Sequence, residues 1–430
     1  MRPTLLALMI LTAVSFSFAA DWPQFRGPHL SGTSEEIGLP DRLDPSTLLW
    51  QTPLPGTGES TPVIVGDRVY LTGSEQETKA LFVMCVNAAD GKRHWKKNVS
   101  RYVKPPRGTA VASPSPAADA SGVVFSFSNG FLVKFDPDGK QLWSHDLVQL
   151  YGPLSLLWSY SSSPVLYDGG LYVVVMRMSD LPEGSDFFGS MESYLLGIDP
   201  ADGQIRFKIE RPTDAVYESN DGHTTPIVTA VDGQEQLILY GADHITGHDL
   251  GTGKEVWRYH FAKEKKRMDR AIATPVAAGG SLYCMYPRGD GVFACSLSKL
   301  AAGDPTPRVW TYEKTAPDVP SPVWVDGYLY TIAEKKKTLT CLDAKTGREQ
   351  WVGKLDKSDI YQASITAADG KLFMVNRKAT VSVVAADPKA FRLLSTHAFG
   401  EKDTDSSIAV ANKKLYLRTG KTLYCFSQKQ

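Results

Sequence analysis

Residues 320–351, PSPVWVDGYLYTIAEKKKTLTCLDAKTGREQW, decide the fold. Short apolar runs that alternate with turn residues predict four β-strands and no helix. Asp326-Gly327 is a two-residue turn of the kind that suits hairpin twist, and residues 335–337 and 344–347 form two further polar turns. A single four-stranded sheet cannot bury both of its faces, so we expect it to pack against neighbours of the same kind.

The same template recurs along the chain: a hydroxyl residue before Pro-Val, then Asp-Gly, Leu-Tyr, Leu-Asp, and a Gly before Trp. A period of roughly 40 to 50 residues with four strands is typical of propeller blades and not of helical repeats. The template occurs eight times, and we predict that the repeats begin at Thr61, Ser113, Ser163, Thr225, Thr274, Ser321, Ser364 and Ser407.

The two ends of the chain complement each other. The eighth repeat ends near Phe426 after three strands, whereas residues 48–51 form a strand with a tryptophan and no companions. We expect residues 48–51 to complete the last sheet, because closing the ring removes an unpaired edge. The sequence therefore predicts an all-β fold, an eight-bladed propeller of four-stranded antiparallel blades that occupies residues 21–430 as a single domain.

Tryptophan and cysteine both recur at fixed positions in the repeats. A large ring on each outer strand is predicted to fill the gap between neighbouring blades. A slot in the third strand takes Gly, Ala or Cys, which favours a packing role over disulfide pairing for Cys85, Cys295, Cys341 and Cys425. Cys284 and Cys295 are the one pair that could bond, if the hairpin turn of the fifth repeat centres on Gly289-Asp290.

The N-terminus and the charge balance bear on location and partners. Residues 1–20, MRPTLLALMILTAVSFSFAA, are typical of a signal peptide cleaved after Ala19 or Ala20, which predicts a periplasmic or secreted protein without a membrane span. Basic and acidic residues number 47 each, so the net charge gives no reason to expect a nucleic acid partner, and we expect a monomer. The segment DWPQFRGP, residues 21–28, is predicted to pack over the outside of a sheet.

Candidate functional residues lie in the loops that enter the innermost strands, because these loops gather around the central channel of a propeller. On this basis the candidate ligand or partner face comprises Glu59, Arg107, Trp158, Tyr160, Asn220, Asp221, His223, Arg270, Asp318, Tyr361, Gln362 and Asp405. Directly before the repeat starts we place Glu59, Val111, Ser161, His223, Ile272, Val319, Gln362 and Asp405. Glu59 and Asp405 could pair to hold a cation or transfer a proton. Alternatively, these polar side chains simply face water.

Other motifs have structural interpretations. His244 and His248 are four apart in a predicted strand and need not share a face, so we do not predict a metal site there. The Asp-x-x-x-Gly turns, such as 343–347, and the Arg288-Gly289-Asp290 sequence are read as turn chemistry. The run 263–267, KEKKR, is predicted to be a solvated loop. An insertion at residues 181–193 interrupts the third repeat, and exposed Phe187 and Phe188 would mark it as a partner or lid loop.

The stretch from Leu339 to Trp351, LTCLDAKTGREQW, resembles the pyrroloquinoline-quinone-like (PQQ-like) propeller repeat. Together with DWPQFRGP and residues 158–173 and 223–257, it resembles the exported propellers of this family in planctomycete-type bacteria. Two groups share the repeat: PQQ-dependent alcohol and sugar dehydrogenases, and the propeller of outer-membrane assembly. This sequence differs from many of the dehydrogenases because it lacks their adjacent cysteine pair, and no positions match their Glu, Asn and Asp calcium ligands. It differs from the assembly propeller because it lacks the lipid-anchor cysteine.

Three functional hypotheses follow. The leading one is an exported, non-enzymatic propeller that binds a small ligand or an envelope protein. The resemblance implies an alternative, a PQQ-dependent oxidoreductase with PQQ and calcium as cofactors. The third is a calcium-assisted lyase or hydrolase that uses Glu59 or Asp405 in the channel.

Overall fold

The computed structural model describes residues 21–103, 111–178, 191–262, 264, 266–314 and 316–428. Within them the chain forms eight antiparallel sheets arranged as a propeller, which confirms the predicted fold class. Blade 1 comprises Val63–Val65, Arg68–Ser74, Ala80–Asn87 and Arg93–Arg101; blade 2 comprises Ala117–Asp119, Gly122–Ser126, Phe131–Phe135 and Gln141–Asp146. Blade 3 comprises Val165–Tyr167, Gly170–Val175, Ser193–Ile198 and Ile205–Arg211; blade 4 comprises Ile227–Val231, Gln234–Gly241, His244–Asp249 and Glu255–His260.

The second half of the ring repeats the same order of strands. Blade 5 comprises Val276–Ala278, Ser281–Tyr286, Gly291–Ser296 and Arg308–Tyr312; blade 6 comprises Val323–Val325, Tyr328–Ala333, Thr338–Asp343 and Glu349–Lys354. Blade 7 comprises Thr366–Ala368, Lys371–Val375, Thr380–Ala385 and Leu393–Ala398, with Thr33–Ser34 added parallel to its innermost strand. Blade 8 comprises Ala409–Ala411, Lys414–Arg418, Thr422–Phe426 and Leu48–Pro53.

Among the described residues, helical structure is confined to short connections. The helices are Leu147–Tyr151 and Leu297–Ala301, and the described 3-10 turns are Tyr217–Asn220 and Pro287–Gly289. Each is too short to cross a bilayer, and the described residues contain no longer apolar helix.

The N-terminal strand closes the ring as predicted. Leu48–Pro53 pairs antiparallel with Thr422–Phe426, the third strand of blade 8. Trp50 donates its indole N–H to the carbonyl of Ala88 in blade 1, over 3.3 Å. One short strand therefore completes the last sheet and fastens it to the first.

The repeated tryptophans fill the gaps between blades, as the sequence predicts. Trp310 of blade 5 lies on the Asp343 to Gly347 turn of blade 6 and donates its indole N–H to the Ala344 carbonyl over 2.9 Å. Gly347 has a φ of +72°, and a Cβ there would lie 2.6 Å from the Trp310 ring. The turn therefore has two roles: Asp343 accepts the turn N–H groups, and the glycine leaves room for the ring of the preceding blade.

A small residue in the third strand makes room for the aromatic ring of its own blade. Cys85, Cys341 and Cys425 lie opposite Trp95, Trp351 and Trp50. In blade 5 the slot holds Ala294, so the sequence alignment that put Cys295 there was wrong. Blades 2 and 7 are exceptions to the small-residue rule, with Lys134 and Val383 at this position.

All five cysteines are buried free thiols. The turn that joins the second and third strands of blade 5 spans residues 287–290, so Cys284 lies opposite Phe293 and not opposite Cys295. Burial raises the pKa of Cys295 to about 12 and raises that of Cys284 well above its ordinary value. These two thiols are therefore packing residues, like the other three.

A ring of hydrogen bonds joins the innermost strands. The backbone N–H of each repeat start donates to the side-chain hydroxyl of the next blade, over 2.9 to 3.1 Å, in seven consecutive links. The hydroxyl residues are Thr61, Ser115, Ser163, Thr225, Thr274, Ser321, Ser364 and Ser407. In blade 2 the sequence offers Ser113-Pro114-Ser115-Pro116, and the predicted Ser113 was wrong by two residues.

The segment that precedes the closing strand crosses one end of the ring, and does not pack on the outside of a single sheet as predicted. Trp22 bridges to Ile64 in blade 1, and Gln24 accepts the backbone N–H of Leu166 in blade 3. The buried guanidinium of Arg26 donates to carbonyls of blades 6 and 7, those of Ser321, Pro322 and Ile365. Since these partners lie at or near the innermost strands, residues 22–34 close this end of the channel.

Candidate functional site

The central channel forms a cavity of about 440 Å³. Two rings of eight residues line it. The inner ring is the hydroxyl ring described above. The outer ring is the set of residues two positions before each hydroxyl: Glu59, Ser113, Ser161, His223, Ile272, Val319, Gln362 and Asp405. Ser113 takes the place predicted for Val111, and the other seven predicted residues line the cavity.

Carboxylates line the edge of the cavity formed by blades 8 and 1. Glu59 accepts a hydrogen bond from the Ser113 hydroxyl over 2.8 Å. Asp405 lies 3.1 Å from the Arg377 guanidinium, and its side chain is only 12% exposed. Burial, and then repulsion from Glu59, raise the pKa of Asp405 to about 7. The two carboxylates are therefore close enough to interact, and a proton or a cation between them would be stabilised.

Two arginines support this acidic edge. Arg418 is buried behind Glu59 and donates to the Ser60 hydroxyl and carbonyl. Burial lowers its pKa to about 10, and the Glu59 charge opposes that shift. Arg377 is 38% exposed and lies 3.8 Å from the exposed Asp403 as well. Arg377 is thus shared between the buried Asp405 and the exposed Asp403.

The part of the cavity across from Glu59 carries two aliphatic residues as well as Arg270. Ile272 and Val319 come from blades 5 and 6, four blades away from Glu59 and Ser113 in the ring of eight. His223, on blade 4, lies between these aliphatic residues and Ser161, whose hydroxyl is 3.3 Å from its Nδ1. Burial lowers the pKa of His223 to about 4, so its imidazole is neutral at physiological pH. Its buried Nε2 has no hydrogen-bond partner among the described residues.

An ion network supports the wall between blades 3 and 6. Glu218 lies in the 3-10 turn and is buried, and its two oxygens contact Arg270 at 2.9 Å and Arg288 at 2.8 Å. It also accepts the indole N–H of Trp158. Asp318 accepts the backbone N–H of Arg288. Arg288 is therefore part of this network, and the sequence interpretation of it as turn chemistry alone was incomplete.

The structure divides the predicted site residues into three groups. Six line the cavity: Glu59, Trp158, His223, Arg270, Gln362 and Asp405. Five lie in or behind its wall: Tyr160, Asn220, Asp221, Asp318 and Tyr361. Arg107 lies outside the described residues, as do Phe187 and Phe188 of the predicted insertion and residues 1–20 of the predicted signal peptide.

The two predicted tyrosines have structural roles. Tyr160 donates its hydroxyl to the Val174 carbonyl over 2.9 Å, and Tyr361 contacts the Ser382 hydroxyl at 3.3 Å. Both rings are fully buried, so they hold the loops that enter blades 3 and 7. Asp221 accepts the backbone N–H of Leu157, and burial raises its pKa to about 7.

Sequence reasoning missed Glu218, Arg288, Arg377 and Phe25. The first three come from a 3-10 turn and two hairpin turns, and Phe25 reaches the cavity from the N-terminal segment. The one available signal was an arginine in the turn between the second and third strands of blades 5 and 7, Arg288 and Arg377.

The family model described as "Outer membrane protein assembly factor BamB" matches residues 43–180 and 83–353. These matches together span residues 43–353, more than half of the 430 residues. The chain belongs to this family. It is a BamB-family propeller, in agreement with the resemblance in the repeats. The comparison with curated proteins finds no match.

Solved structures of two kinds share the fold of this BamB-family propeller. BamB from Moraxella catarrhalis has a TM-score of 0.60 at 13% identity, with 88% of this chain and 99% of that chain covered. A europium-containing methanol dehydrogenase has a TM-score of 0.71 at 10% identity, covering 95% and 98%. The quinohemoprotein alcohol dehydrogenase of Comamonas testosteroni has a TM-score of 0.67 at 11% identity, covering 95% and 81%.

The channel of the BamB-family propeller does not fit PQQ with calcium. Calcium takes about six to eight oxygen ligands, commonly several carboxylates. Among the described channel residues only Glu59 and Asp405 are carboxylates, and Asp405 faces Arg377. Seven of the ring hydroxyls already accept backbone hydrogen bonds. The side chains therefore provide no calcium ligand set, and we derive no redox step from them.

Proposed function

We propose that the chain is a non-enzymatic binding protein of the cell envelope, whose channel takes a small cationic ligand or a lysine side chain of a partner protein. The observation that carries the proposal is the acidic edge formed by Glu59 and Asp405. The raised pKa of Asp405 reflects burial and then the Glu59 charge, so the two carboxylates repel each other across this edge. A bound cation would relieve that repulsion.

The shape of the cavity supports binding from one side. The N-terminal segment closes one end of the channel through Trp22, Gln24 and Arg26, while the outer ring lies at the other end. A ligand that enters the open mouth would meet carboxylates on one edge and Ile272 and Val319 on the other. The site thus suits an amine or guanidinium attached to an apolar group.

Membership of the BamB family supports the envelope and partner parts of the proposal, because the family is described as an outer membrane assembly factor. The predicted signal peptide is in agreement with this location. A protein partner would present its cationic side chain to the same carboxylates.

The test compares 2-phenylethylamine with its neutral analogue 2-phenylethanol by isothermal titration calorimetry. We expect saturable binding of the amine only, and a loss of more than about tenfold in affinity in Glu59→Gln and Asp405→Asn, since one charge-assisted hydrogen bond contributes about 1.5 to 3 kcal/mol. Asp403→Asn is the matched control, because that carboxylate is 73% exposed and screened by solvent. Equal binding of amine and alcohol, or equal affinity in all variants, would refute the cation site.

The oxidoreductase alternative has its own test. We expect that purified protein mixed with PQQ and calcium shows neither saturable quinone binding nor dye reduction with an alcohol or sugar. Tight quinone binding with dye reduction would overturn the proposal of a non-enzymatic protein.

A further inference from the structure

A cluster of two histidines and one aspartate lies on blade 4, outside the channel. His244 begins the third strand, His260 ends the fourth, and the two residues are opposite each other in the sheet register. Asp214 lies in the connection from blade 3. Its Oδ1 is 3.8 Å from the Nε2 atom of each histidine. The three ligand atoms lie within 4.8 Å of one another.

The atoms that face each other are suited to a metal ion. Zinc binds imidazole nitrogen at about 2.0 to 2.1 Å and carboxylate oxygen at about 2.0 to 2.2 Å, so tetrahedral ligand atoms are about 3.4 Å apart. The two 3.8 Å separations need to close by a few tenths of an ångström, and the two histidine nitrogens, which lie within 4.8 Å of each other, also need to approach to about 3.4 Å. Two nitrogens and one oxygen suit a divalent first-row transition metal better than Ca²⁺ or Mg²⁺, which prefer oxygen ligands.

The surroundings hold His244 in the orientation that ligation requires. Its Nδ1 is 2.9 Å from the Ala242 carbonyl, which places the proton on Nδ1 and leaves the Nε2 lone pair directed at Asp214. The Thr213 hydroxyl donates to the same carbonyl over 2.8 Å and so positions the loop that carries Asp214.

Nearby cationic side chains are already engaged by other groups. Arg258 forms a two-bond ion pair with Glu255 and donates to the Pro212 carbonyl. Arg211 is buried and donates to the carbonyls of Gly241 and His244. The cluster itself remains open to solvent, since the side chains of Asp214 and His260 are 51% and 40% exposed. An ion therefore has an entry path and a free coordination position.

We propose that Asp214, His244 and His260 form a binding site for a divalent transition-metal ion of the Zn²⁺ type, which fastens the connection at residues 212–222 to blade 4. This connection also carries Glu218 and leads directly to His223. The metal would stabilise the loop that forms part of the channel wall. The site is independent of the proposed ligand in the channel, and each can be tested without the other.

The experiment uses untagged protein that has been freed of metal with a chelator, then titrated with Zn²⁺ in competition with a chromophoric chelator. We expect one tightly bound Zn²⁺ per chain. Asp214→Asn and His260→Ala each remove a ligand from an exposed position, so both should fold and lose more than about tenfold in affinity. His94→Ala, which removes an exposed histidine of blade 1, is the matched control and should bind like the parent.

A second measurement identifies the ligands. Co²⁺ in place of Zn²⁺ should give visible absorption bands typical of nitrogen and oxygen ligation in the parent and in His94→Ala, and these bands should be lost in His260→Ala. Circular dichroism checks that each variant is folded. Absence of Zn²⁺ binding in the parent, or unchanged affinity in both Asp214→Asn and His260→Ala, would overturn the proposal.

Discussion

Replacing Asp405 with asparagine tests the electrostatics of the acidic edge directly. In the folded chain burial and Glu59 raise the pKa of Asp405 to about 7, while the unfolded chain has a value near 3.9. The folded state therefore binds more protons between these values. The contribution of Asp405 to stability is greatest below the unfolded pKa and is lost as the pH rises through about 7.

The size of the effect follows from the two pKa values. The difference between the folded and unfolded pKa values of Asp405 lowers the free energy of unfolding by about 1.5 kcal/mol at about pH 5 and by about 4 kcal/mol at about pH 8, from 1.36 kcal/mol per pKa unit. Asparagine keeps the shape of the side chain and an oxygen that accepts from Arg377, but it carries no charge. Asp405→Asn should therefore stabilise the protein more at pH 8 than at pH 5, by about 2.5 kcal/mol.

The assay is equilibrium unfolding in urea at both pH values, with the free energy of unfolding compared between variant and parent. The quantity to compare is the change in the effect of Asp405→Asn between the two pH values. Other groups also change stability with pH, among them His223, His244 and His248, but their contributions cancel between variant and parent. Burial lowers the pKa of each to about 4, so their contribution falls as the pH drops from about 6.5 towards 4 in parent and variant alike. Asp403→Asn should show no such difference. An equal effect of Asp405→Asn at both pH values would refute the reasoning.

Two further predictions concern the framework. Gly347→Ala should lower the free energy of urea unfolding by roughly 2 to 3 kcal/mol, because the new Cβ meets the Trp310 ring and the φ of the residue is +72°. Gly327→Ala is the control for backbone strain alone, since its φ is +87° and no atom lies near the new Cβ. An equal loss of stability in both variants would contradict the inter-blade contact. Ellman's reagent should react with none of the five cysteines in folded protein at pH 8 and with all five in denaturant, whereas three in denaturant would reveal a disulfide.

The blades could be predicted from the sequence because their signature is local. Each repeat is marked by a hydroxyl-Pro start, an Asp-Gly turn and a final Trp, and each of these signals depends on only a few neighbouring residues. The ring closure could be predicted because the strand that contains Trp50 has no companion strands next to it in the sequence. The errors arose where local patterns were ambiguous. Two Ser-Pro pairs in succession hid the true start at Ser115. In blade 5 no Leu-Asp pair marks the end of the third strand, and Cys295 stands one residue after the small-residue slot, which Ala294 fills.

The candidate site was predictable only where the fold repeats. Equivalent residues before each strand start must meet at the channel, so Glu59, His223 and Asp405 follow from the repeat alone. The repeat does not predict the direction in which a side chain points. Tyr160, for example, points into blade 3 and away from the channel. The partners of Glu218 are one arginine in the loop that enters blade 5 and one in the hairpin turn of that blade, and no sequence pattern links them to Glu218.

The closing strand has a consequence for the order in which the protein forms. Residues 48–53 are synthesised long before their partners at residues 422–426. Until then every intermediate carries an incomplete blade 8 and an exposed edge on it, which is a template for aggregation. Contacts between such distant residues also slow folding, since a long loop must close first. The ring can therefore close only after residues 422–426 have been synthesised and can pair with residues 48–53.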